Sequence, residues 1–404
     1  MSGKLPSVQM VRQPVFDDSL KVVAYNLLYK DGEETEEQLF GDNDLAVQLL
    51  LDEYTSIYES GEVKALPAYI TVPEATIKPG WVPQFASDNV VLDLKKPNGS
   101  AKDYVSAVRG LADAGYKVSL GGYGAHAEMN DLLDIAHTVK LDVNHFDAAQ
   151  LEKNLDVLKR RGNISVLAWN IETVDALEAC VELGFDLFQG HFLTKPKQLN
   201  EGKLGANQAA VLQLLGEIQK PDVTPESIEE IVQMDPVLTF KLLKVVNSAA
   251  YALVREVTSI ADAIVFLGMD QVRQLAMIVG MSGQSDKPAE MYRSLLLRAA
   301  MCEQVAKTMN YDNRSSYFLA GVMSGLHLIF DTTQENLIGQ ISVAREIEEA
   351  VMKHEGTIGS VLNDATSYES GAWDQLSEGV DTEVYDDAYI KSMRWLNSVM
   401  ETAS

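Results

Sequence analysis

The chain has 404 residues, with 33 Lys and Arg against 59 Asp and Glu, which gives a formal charge of −26. Because a domain takes roughly 100–200 residues, this length predicts two or three domains. Hydrophobic residues make up 46% of the sequence, a globular composition that excludes a mainly disordered chain. The negative field repels phosphate backbones and anionic lipids, and no dense Lys/Arg cluster offsets it. We therefore expect neither nucleic acid nor a membrane as a partner.

The cysteines and the amino-terminal residues indicate a cytoplasmic protein. Cys180 and Cys302 lie far apart in the sequence, so they form neither a disulfide framework nor a Cys-x-x-Cys metal site. The opening residues, MSGKLPSVQM, lack the apolar core of a signal peptide. The longest apolar run, residues 318–330, is too short to span a bilayer.

Acidic residues are concentrated in two segments. Residues 31–62 contain eleven Asp and Glu without a Lys or Arg, and residues 354–390 contain nine. Such segments are typical of solvated faces that keep a protein soluble. The alternative is a docking face for a basic partner, and the sequence leaves both open.

The first half of the chain alternates β-rich runs with helix-like segments. Strands are predicted over residues 20–29, 66–72, 89–94, 116–120, 138–143, 164–169 and 185–188, and helices over 103–113 and 174–183. Most of these strands are continuously apolar, as in parallel sheets buried on both faces. Such βα repeats form a doubly wound sheet or a barrel. The number of strands and the absence of a GxGxxG motif favour an α/β TIM-type (β/α)8 barrel.

After about residue 200 the strands give way to helical stripes. Thr224-Pro225 is typical of a helix start, and Asp235-Pro236 ends that helix and begins the next. Further stripes cover residues 211–218, 260–267, 272–279, 295–309 and 318–330. The polar segment 195–205 is the expected boundary. We predict a barrel domain over residues 1–200 and an all-α domain over residues 201–404.

Two signatures of the first half carry a resemblance to a known family. The opening one is Arg12-Gln13-Pro14-Val15-Phe16-Asp17 followed by residues 22–30, and the closing one is Gln189-Gly190-His191-Phe192 followed by Lys195-Pro196. In this order and spacing they resemble the EAL domain, the cyclic di-GMP phosphodiesterase barrel. The resemblance covers about residues 8–196.

The resemblance implies a two-metal site at the carboxyl ends of the strands, and this chain departs from it at most positions. Matching residues are Lys140, Asp142, Glu172 and Gln189. Departures are Asn26 for Glu, Lys30 for Arg, Thr71 for Asn, Asp93 for Glu, Gly121-Gly122 for Asp-Asp and Trp169 for Glu.

Two-metal hydrolysis of a phosphodiester needs several convergent carboxylates. Asp93, Asp142 and Glu172 hold at most one ion loosely, and we expect Trp169 to fill the space of a missing ligand. We therefore predict a degenerate EAL domain with no catalytic residue, no metal and no cofactor. Lys140 and Asp142 share one strand face, so they are either a buried ion pair or a remnant of nucleotide binding. The segment from Gly121 to Gly124 is interpreted as a turn rather than a phosphate cradle.

The second half resembles the HDOD domain, a helical relative of the HD-type metal phosphohydrolases. The residues that carry the resemblance are Asp235-Pro236-Val237-Leu238, residues 241–251, Thr258-Ser259-Ile260, Ala263-Ile264 and Leu267-Gly268. It covers about residues 204–280 and fades beyond residue 330. Ser324-Gly325 stand where active relatives carry an adjacent His-Asp pair, so no HD metal site is expected, and His327 is predicted to be a core histidine.

A polar cluster in the same region has two interpretations. Asn247, Ser248 and Tyr251 form either a hydrogen-bonded helix end or part of a groove for a peptide or ligand.

The tandem order of an EAL-like barrel and an HDOD domain resembles a class of bacterial signalling proteins. Our leading hypothesis is a catalytically inactive regulator or scaffold that acts on unidentified signalling proteins, with homodimerisation as a further option. The alternative is a non-hydrolysing receptor for cyclic di-GMP or another nucleotide, using Lys30, Lys140, Tyr123 and Trp169. Residual metal-dependent phosphodiesterase activity, dependent on Glu172, is the less favoured third hypothesis.

Overall fold

The computed structural model describes residues 8–31, 51, 54–55, 66–83, 85–94, 101–123, 130–193, 224, 226–228, 236–247, 251, 257–282, 287–340 and 343–403. The chain divides into two compact units, Met1–Ser56 with Lys64–Lys197, and Ile57–Val63 with Gln198–Ser404. The predicted boundary at 195–205 and the predicted stripe at 211–218 lie outside the described residues.

The first unit is a closed barrel of eight strands that follow one another in chain order. The first strand, β1, runs antiparallel to both of its neighbours, whereas the remaining neighbours are parallel. The predicted barrel is thus confirmed, with the addition of a strand over residues 8–16. The strands are β1 (Val8–Phe16), β2 (Val22–Asp31), β3 (Ala68–Val72), β4 (Val90–Leu94), β5 (Lys117–Leu120), β6 (Thr138–Asp142), β7 (Ser165–Ile171) and β8 (Leu187–Gly190).

Capping residues mark the ends of two of the barrel helices. In α3, Asp147 accepts from the Gln150 backbone N–H while the Gln150 side chain returns the bond, a capping box. In α4, Thr173 caps the first turn and Gly184 ends the helix at φ 88°. The helices of this unit are α1 (Ala101–Asp113), α2 (Asn130–Leu133), α3 (Ala148–Lys159) and α4 (Val174–Leu183).

The second unit, as far as it is described, consists of helices. The stripes predicted from residue 260 to residue 330 fall within four of them. The helices are α5 (Pro236–Val246), α6 (Ile260–Leu267), α7 (Met269–Ser282), α8 (Ala289–Thr308), α9 (Arg314–Ile329), α10 (Gln334–Gln340), α11 (Arg345–Lys353), α12 (Gly356–Glu369) and α13 (Thr382–Ala403). Across the described residues, no helix is both long enough and apolar enough to cross a membrane.

Helices α8 and α9 approach each other closely at a glycine. A Cβ added to Gly321 of α9 would lie 2.4 Å from Cα of Ala299 and 2.9 Å from its backbone N. Because the obstacle is backbone rather than a flexible side chain, the two helices can pack at this distance only with glycine here.

We predict that Gly321→Ala lowers the free energy of unfolding by about 1–3 kcal/mol, because the added methyl group forces α8 and α9 apart. The matched control is Gly339→Ala in α10, where an added Cβ meets nothing within 4 Å. That control should gain up to about 1 kcal/mol through helix propensity. Urea denaturation of the full chain measures both, and equal effects of the two variants would contradict the packing argument.

Candidate functional site

The barrel strands direct the predicted site residues toward the interior. One interior layer consists of Val15, Ala24, Tyr69, Val91 and Leu167, with Leu187 packed against it. Side chains of a strand alternate between faces, so the residue two positions further on faces the interior as well. By this alternation the next layer contains Asn26, Thr71, Asp93, Trp169 and Gln189.

Strand pairing brings members of this layer side by side. Thr71 is paired with Asp93 between β3 and β4, and Asp142 with Trp169 between β6 and β7. The barrel therefore gathers the predicted positions at the carboxyl end of its interior, where barrel enzymes carry their active sites.

Lys140 makes polar contacts with two members of this layer. Its Nζ lies 2.7 Å from Oδ2 of Asp93 and donates to Oδ1 of Asn26 at 3.5 Å. The same ammonium group lies 5.1 Å from the centroid of the Tyr69 ring. Only 6% of Lys140 is exposed, so this charge depends on those neighbours for compensation.

The partner of Lys140 differs from the one suggested by strand spacing. We had interpreted Lys140 and Asp142, two residues apart on β6, as a candidate ion pair, but the ion pair joins Lys140 to Asp93 on β4. Asp142 instead accepts from the backbone N–H of Asn144 at 2.9 Å. Side chains two residues apart on one strand point in the same direction, whereas side chains on different strands of a closed barrel converge in its interior.

Two tyrosine hydroxyls form hydrogen bonds next to this cluster. The Tyr69 hydroxyl lies 3.2 Å from Oγ1 of Thr138, and burial raises the pKa of Tyr69, which keeps its hydroxyl protonated. Tyr29 donates to the backbone carbonyl of Thr71 at 2.8 Å. The walls around the Lys140 ammonium are therefore held by neutral hydrogen bonds.

Several buried polar atoms near the cluster have no hydrogen-bond partner within the described part of the chain. They are Oδ1 of Asp93, Oγ of Ser119 and Oε1 of Gln189. The amide N of Gln189 donates to Oε1 of Gln13 at 3.1 Å, which orients the free oxygen. Buried acceptors of this kind are normally satisfied by ordered water or by a ligand donor.

Other predicted positions do not join the cluster. Trp169 is 42% exposed at the carboxyl end of the barrel, and that it fills the space of a missing ligand stays a prediction. Glu172 is also exposed, just beyond the end of β7. The backbone N–H of Gly121 donates to the Leu94 carbonyl, and Gly122 turns the chain at φ 68°. The side chain of Lys30 and residue Gly124 lie outside the described residues.

The remaining carboxylates do not fit a pair of divalent ions. Asp93 is bound to the Lys140 ammonium, Asp142 caps its own loop, and Glu172 faces solvent. Two-metal sites need several carboxylates that converge within a few ångströms. Within the ranges that the structure describes, no group of three or more His, Cys, Asp or Glu is placed to hold a metal ion.

In the second unit a guanidinium group lies beside the degenerate HD positions. Arg298 of α8 donates to Oγ of Ser324 at 3.0 Å and, through its Nε, to Oε1 of Glu369 at 2.9 Å. A Cβ at Gly325 would lie 2.9 Å from Cδ1 of Leu295. The guanidinium group of Arg298 therefore lies beside Ser324, and a side chain at position 325 would require Leu295 to shift.

His327 lies one helical turn beyond Ser324 and is mostly buried. Burial lowers its pKa, and the positive charge of Arg298 lowers it further. The imidazole is therefore held neutral, as expected of a core histidine beside a fixed cation.

In the polar cluster at the end of α5, the Asn247 side chain binds the backbone of Val257. Nδ2 of Asn247 donates to the Val257 carbonyl at 2.8 Å, and its Oδ1 accepts from the Val257 N–H at 2.7 Å. Burial raises the pKa of Tyr251 to about 12. Ser248 lies outside the described residues. The paired bonds of Asn247 favour the structural interpretation over the groove.

We predict that Lys140→Met costs about 3–5 kcal/mol of stability, because it leaves the buried Asp93 carboxylate without its cation. The double variant Lys140→Met with Asp93→Asn should recover most of that loss. The control is Lys159→Met, whose pair with Asp186 is more than a third exposed and should contribute no more than about 1 kcal/mol. Urea denaturation compares them, and a Lys140→Met loss as small as the control's would refute the interaction.

We further predict a pH-dependent stability that depends on His327. Since its pKa is lowered on folding, the unfolded chain takes up the proton first, and stability falls as the pH decreases through about 6.5, the ordinary histidine value. His327→Gln should flatten this decrease between about pH 7.5 and 5.5, measured as Tm against pH. His354→Gln, at an exposed position, should retain the wild-type slope. Identical slopes for wild type and His327→Gln would contradict the prediction.

Comparisons with known proteins address both halves. Residues 205–357 match the HDOD domain family. The cyclic di-GMP phosphodiesterase CdgJ of Vibrio cholerae is 25% identical over 402 residues, covering 96% of this chain and 92% of that protein. The uncharacterized protein YuxH of Bacillus subtilis is 24% identical over 406 residues, covering 98% and 99%.

Solved structures similar to this chain are EAL proteins. The EAL domain of Mycobacterium smegmatis DcpA is 16% identical, covers 46% of this chain and 92% of that structure, and gives a TM-score of 0.40. A standalone EAL protein from Vibrio cholerae in its c-di-GMP-bound form is 16% identical, covers 48% and 93%, and gives 0.37. At these scores nothing about ligands or activity follows for this chain. The HDOD match and the whole-length relatives support the predicted layout, in which an EAL-like barrel precedes an HDOD domain.

Proposed function

We propose that this chain is a regulator in cyclic di-GMP signalling whose barrel does not hydrolyse the dinucleotide and which acts by binding other proteins. A relative that spans nearly the whole chain is named as a cyclic di-GMP phosphodiesterase, which supports the signalling context. A protein can keep its fold after losing catalytic residues, because the hydrophobic core does not depend on them. A signalling role is therefore compatible with the loss of hydrolytic activity.

The observation that carries the proposal is the set of partners around Lys140. This lysine matches the family, but its ammonium group contacts one carboxylate, Asp93 at 2.7 Å, and the neutral amide of Asn26, where the resemblance implies two carboxylates. A divalent cation beside this ammonium group would have a single carboxylate to offset both positive charges in a buried, low-dielectric interior. That shortage of negative charge disfavours metal binding.

Loss of the other carboxylates supports the same conclusion. Gly121 and Gly122 supply no side-chain oxygen, and Asn26 is a neutral amide that already accepts from Lys140. A hydrolytic water therefore has no two-metal clamp to lower its pKa and no convergent carboxylates to orient it.

A second candidate function is a receptor that binds cyclic di-GMP without hydrolysing it. The observation that favours it is Trp169, an indole 42% exposed beside Asp142 at the carboxyl end of the barrel. Exposed aromatic rings stack on nucleotide bases. The free Oε1 of Gln189 and Oδ1 of Asp93 offer acceptors for the N–H donors of a base.

Turnover tests the loss of hydrolysis. We expect the purified full chain, incubated with cyclic di-GMP and Mg²⁺ or Mn²⁺, to give no more linear product than the Glu172→Ala variant, since no two-metal clamp activates water. Chromatography of the nucleotides measures this. Turnover by the wild type that disappears in Glu172→Ala would establish a phosphodiesterase and overturn the proposal.

Binding separates the regulator from the receptor. For a regulator that acts only through proteins, calorimetric titration with cyclic di-GMP should give no binding in the micromolar range or tighter. Such binding, lost in Trp169→Ala, Lys30→Ala and Lys140→Ala, would establish the receptor instead. Trp169→Ala is the decisive variant because its side chain is exposed and its removal leaves the Lys140 cluster intact. Lys159→Ala, at the exposed pair with Asp186, controls for the loss of one positive charge.

A further inference from the structure

The acidic segment 354–390, which the barrel chemistry does not explain, surrounds a cavity in the second unit. The cavity has a volume of about 270 Å³ and is lined from α8, α12, α13 and the loops between them. Most of its lining residues belong to this segment, among them Thr357, Ser360, Asp364, Ser377 and Tyr385. Within the part of the chain that the structure describes, no Lys, Arg or His lines the cavity.

Asp364 is the only carboxylate among the described residues of the lining, and it is 2% exposed. Its Oδ1 accepts from the backbone N–H of Ser377 at 3.0 Å and from the Ser377 hydroxyl at 2.9 Å. Its Oδ2 accepts from the hydroxyl of Tyr385. Burial, followed by this bond to Asp364, raises the pKa of Tyr385, so the tyrosine stays a neutral donor.

These three donors hold the carboxylate in place but do not neutralise it. No ion pair of Asp364 with a Lys, Arg or His occurs within the described part of the chain. A carboxylate offers about four acceptor positions, so one on Oδ2 remains for a further donor. A buried charge without a cation is costly, and an incoming cation removes that cost.

The rest of the cavity wall matches the body of a small organic cation. Val305, Met309, Val361 and Val380 form apolar wall, and Tyr311 and Tyr385 contribute aromatic rings. Cations are attracted to such rings, and Tyr311 is itself held by stacking on Tyr317 at 5.8 Å between centroids. Residues 354–390 contain nine acidic residues and no Lys or Arg, and although Glu369 and Asp387 are paired with Arg298 and Lys391, the segment keeps an excess of negative charge, which attracts cations and repels anions.

We propose that this cavity binds a small organic ammonium compound, with its N–H on Asp364 and its apolar body between the valines and the tyrosines. A cyclic dinucleotide does not fit here, because the cavity is slightly below the range of about 300–1,000 Å³ typical of drug-sized ligands and because the surrounding charge repels phosphates. The site is therefore independent of the barrel and of the function proposed for it.

The test uses benzylammonium as the probe and two molecules of similar shape, neutral benzyl alcohol and anionic benzoate, as comparisons. Titration of the full chain, followed by saturation-transfer NMR and calorimetry, should show binding of benzylammonium. Benzyl alcohol should bind about tenfold more weakly or worse, since it lacks the charge that Asp364 compensates, and benzoate should not bind. Equal affinity for the amine and the alcohol, or no binding of the amine, would overturn the proposal.

Variants locate the site. Asp364→Asn should weaken benzylammonium binding by about tenfold or more, whereas Asp374→Asn removes the same charge at an exposed position and should leave binding unchanged. Ser360→Phe adds a ring at an exposed position of α12 on the cavity rim and should block entry without disturbing the core. It keeps the test valid if Asp364→Asn unfolds. Binding that persists in Ser360→Phe, or that Asp374→Asn weakens as much as Asp364→Asn does, would refute the assignment.

Discussion

A closed barrel directs every second side chain of its strands into an interior that is shielded from bulk water except at the ends, and the chemistry of the first unit depends on this constraint. A polar group that faces inward must find its partner on another wall of the barrel. Lys140 meets this requirement with Asp93 across the interior, with Asn26 and with the face of Tyr69. One ammonium group thereby connects side chains of three different strands, β2, β4 and β6.

The second unit also contains a cationic side chain that is paired with a carboxylate from another helix. Where the HD family carries metal ligands, Arg298 donates to Ser324 and to the carboxylate of Glu369. In both units a cationic side chain is anchored by a carboxylate from another element, and the surrounding polar groups have adapted to it. Buried cations of this kind are stable only when their hydrogen bonds are satisfied, which makes both clusters parts of the fold.

The sequence predicted those features that depend on neighbours along the chain. Helix α4 was predicted at its observed bounds, and in the structure Thr173 and Gly184 cap its two ends. Strand β1 was missed because VQMVRQPVF mixes polar residues and a proline with its apolar ones, so that no single period dominates. The eighth strand, and with it the antiparallel start of the barrel, therefore came from the structure.

Site features that depend on distant residues were harder to predict. The degenerate positions followed from the family resemblance, but the partner of Lys140 lies two strands away and is set by the curvature of the barrel. The cavity beside Asp364 joins residues from three helices in a region where the resemblance has faded. Spacing along one element says nothing about convergence of this kind.

The surroundings of Ser324 and Gly325 limit what these two positions can carry. A Cβ at position 325 would press on Cδ1 of Leu295, the end of a flexible side chain that can turn aside. A histidine at position 324 would instead remove the hydroxyl that now accepts from Arg298. Replacing Ser324 alone therefore leaves a buried guanidinium group short of one acceptor. Because Arg298 of α8 binds both Ser324 of α9 and Glu369 of α12, a change at position 324 is coupled to the packing of three helices.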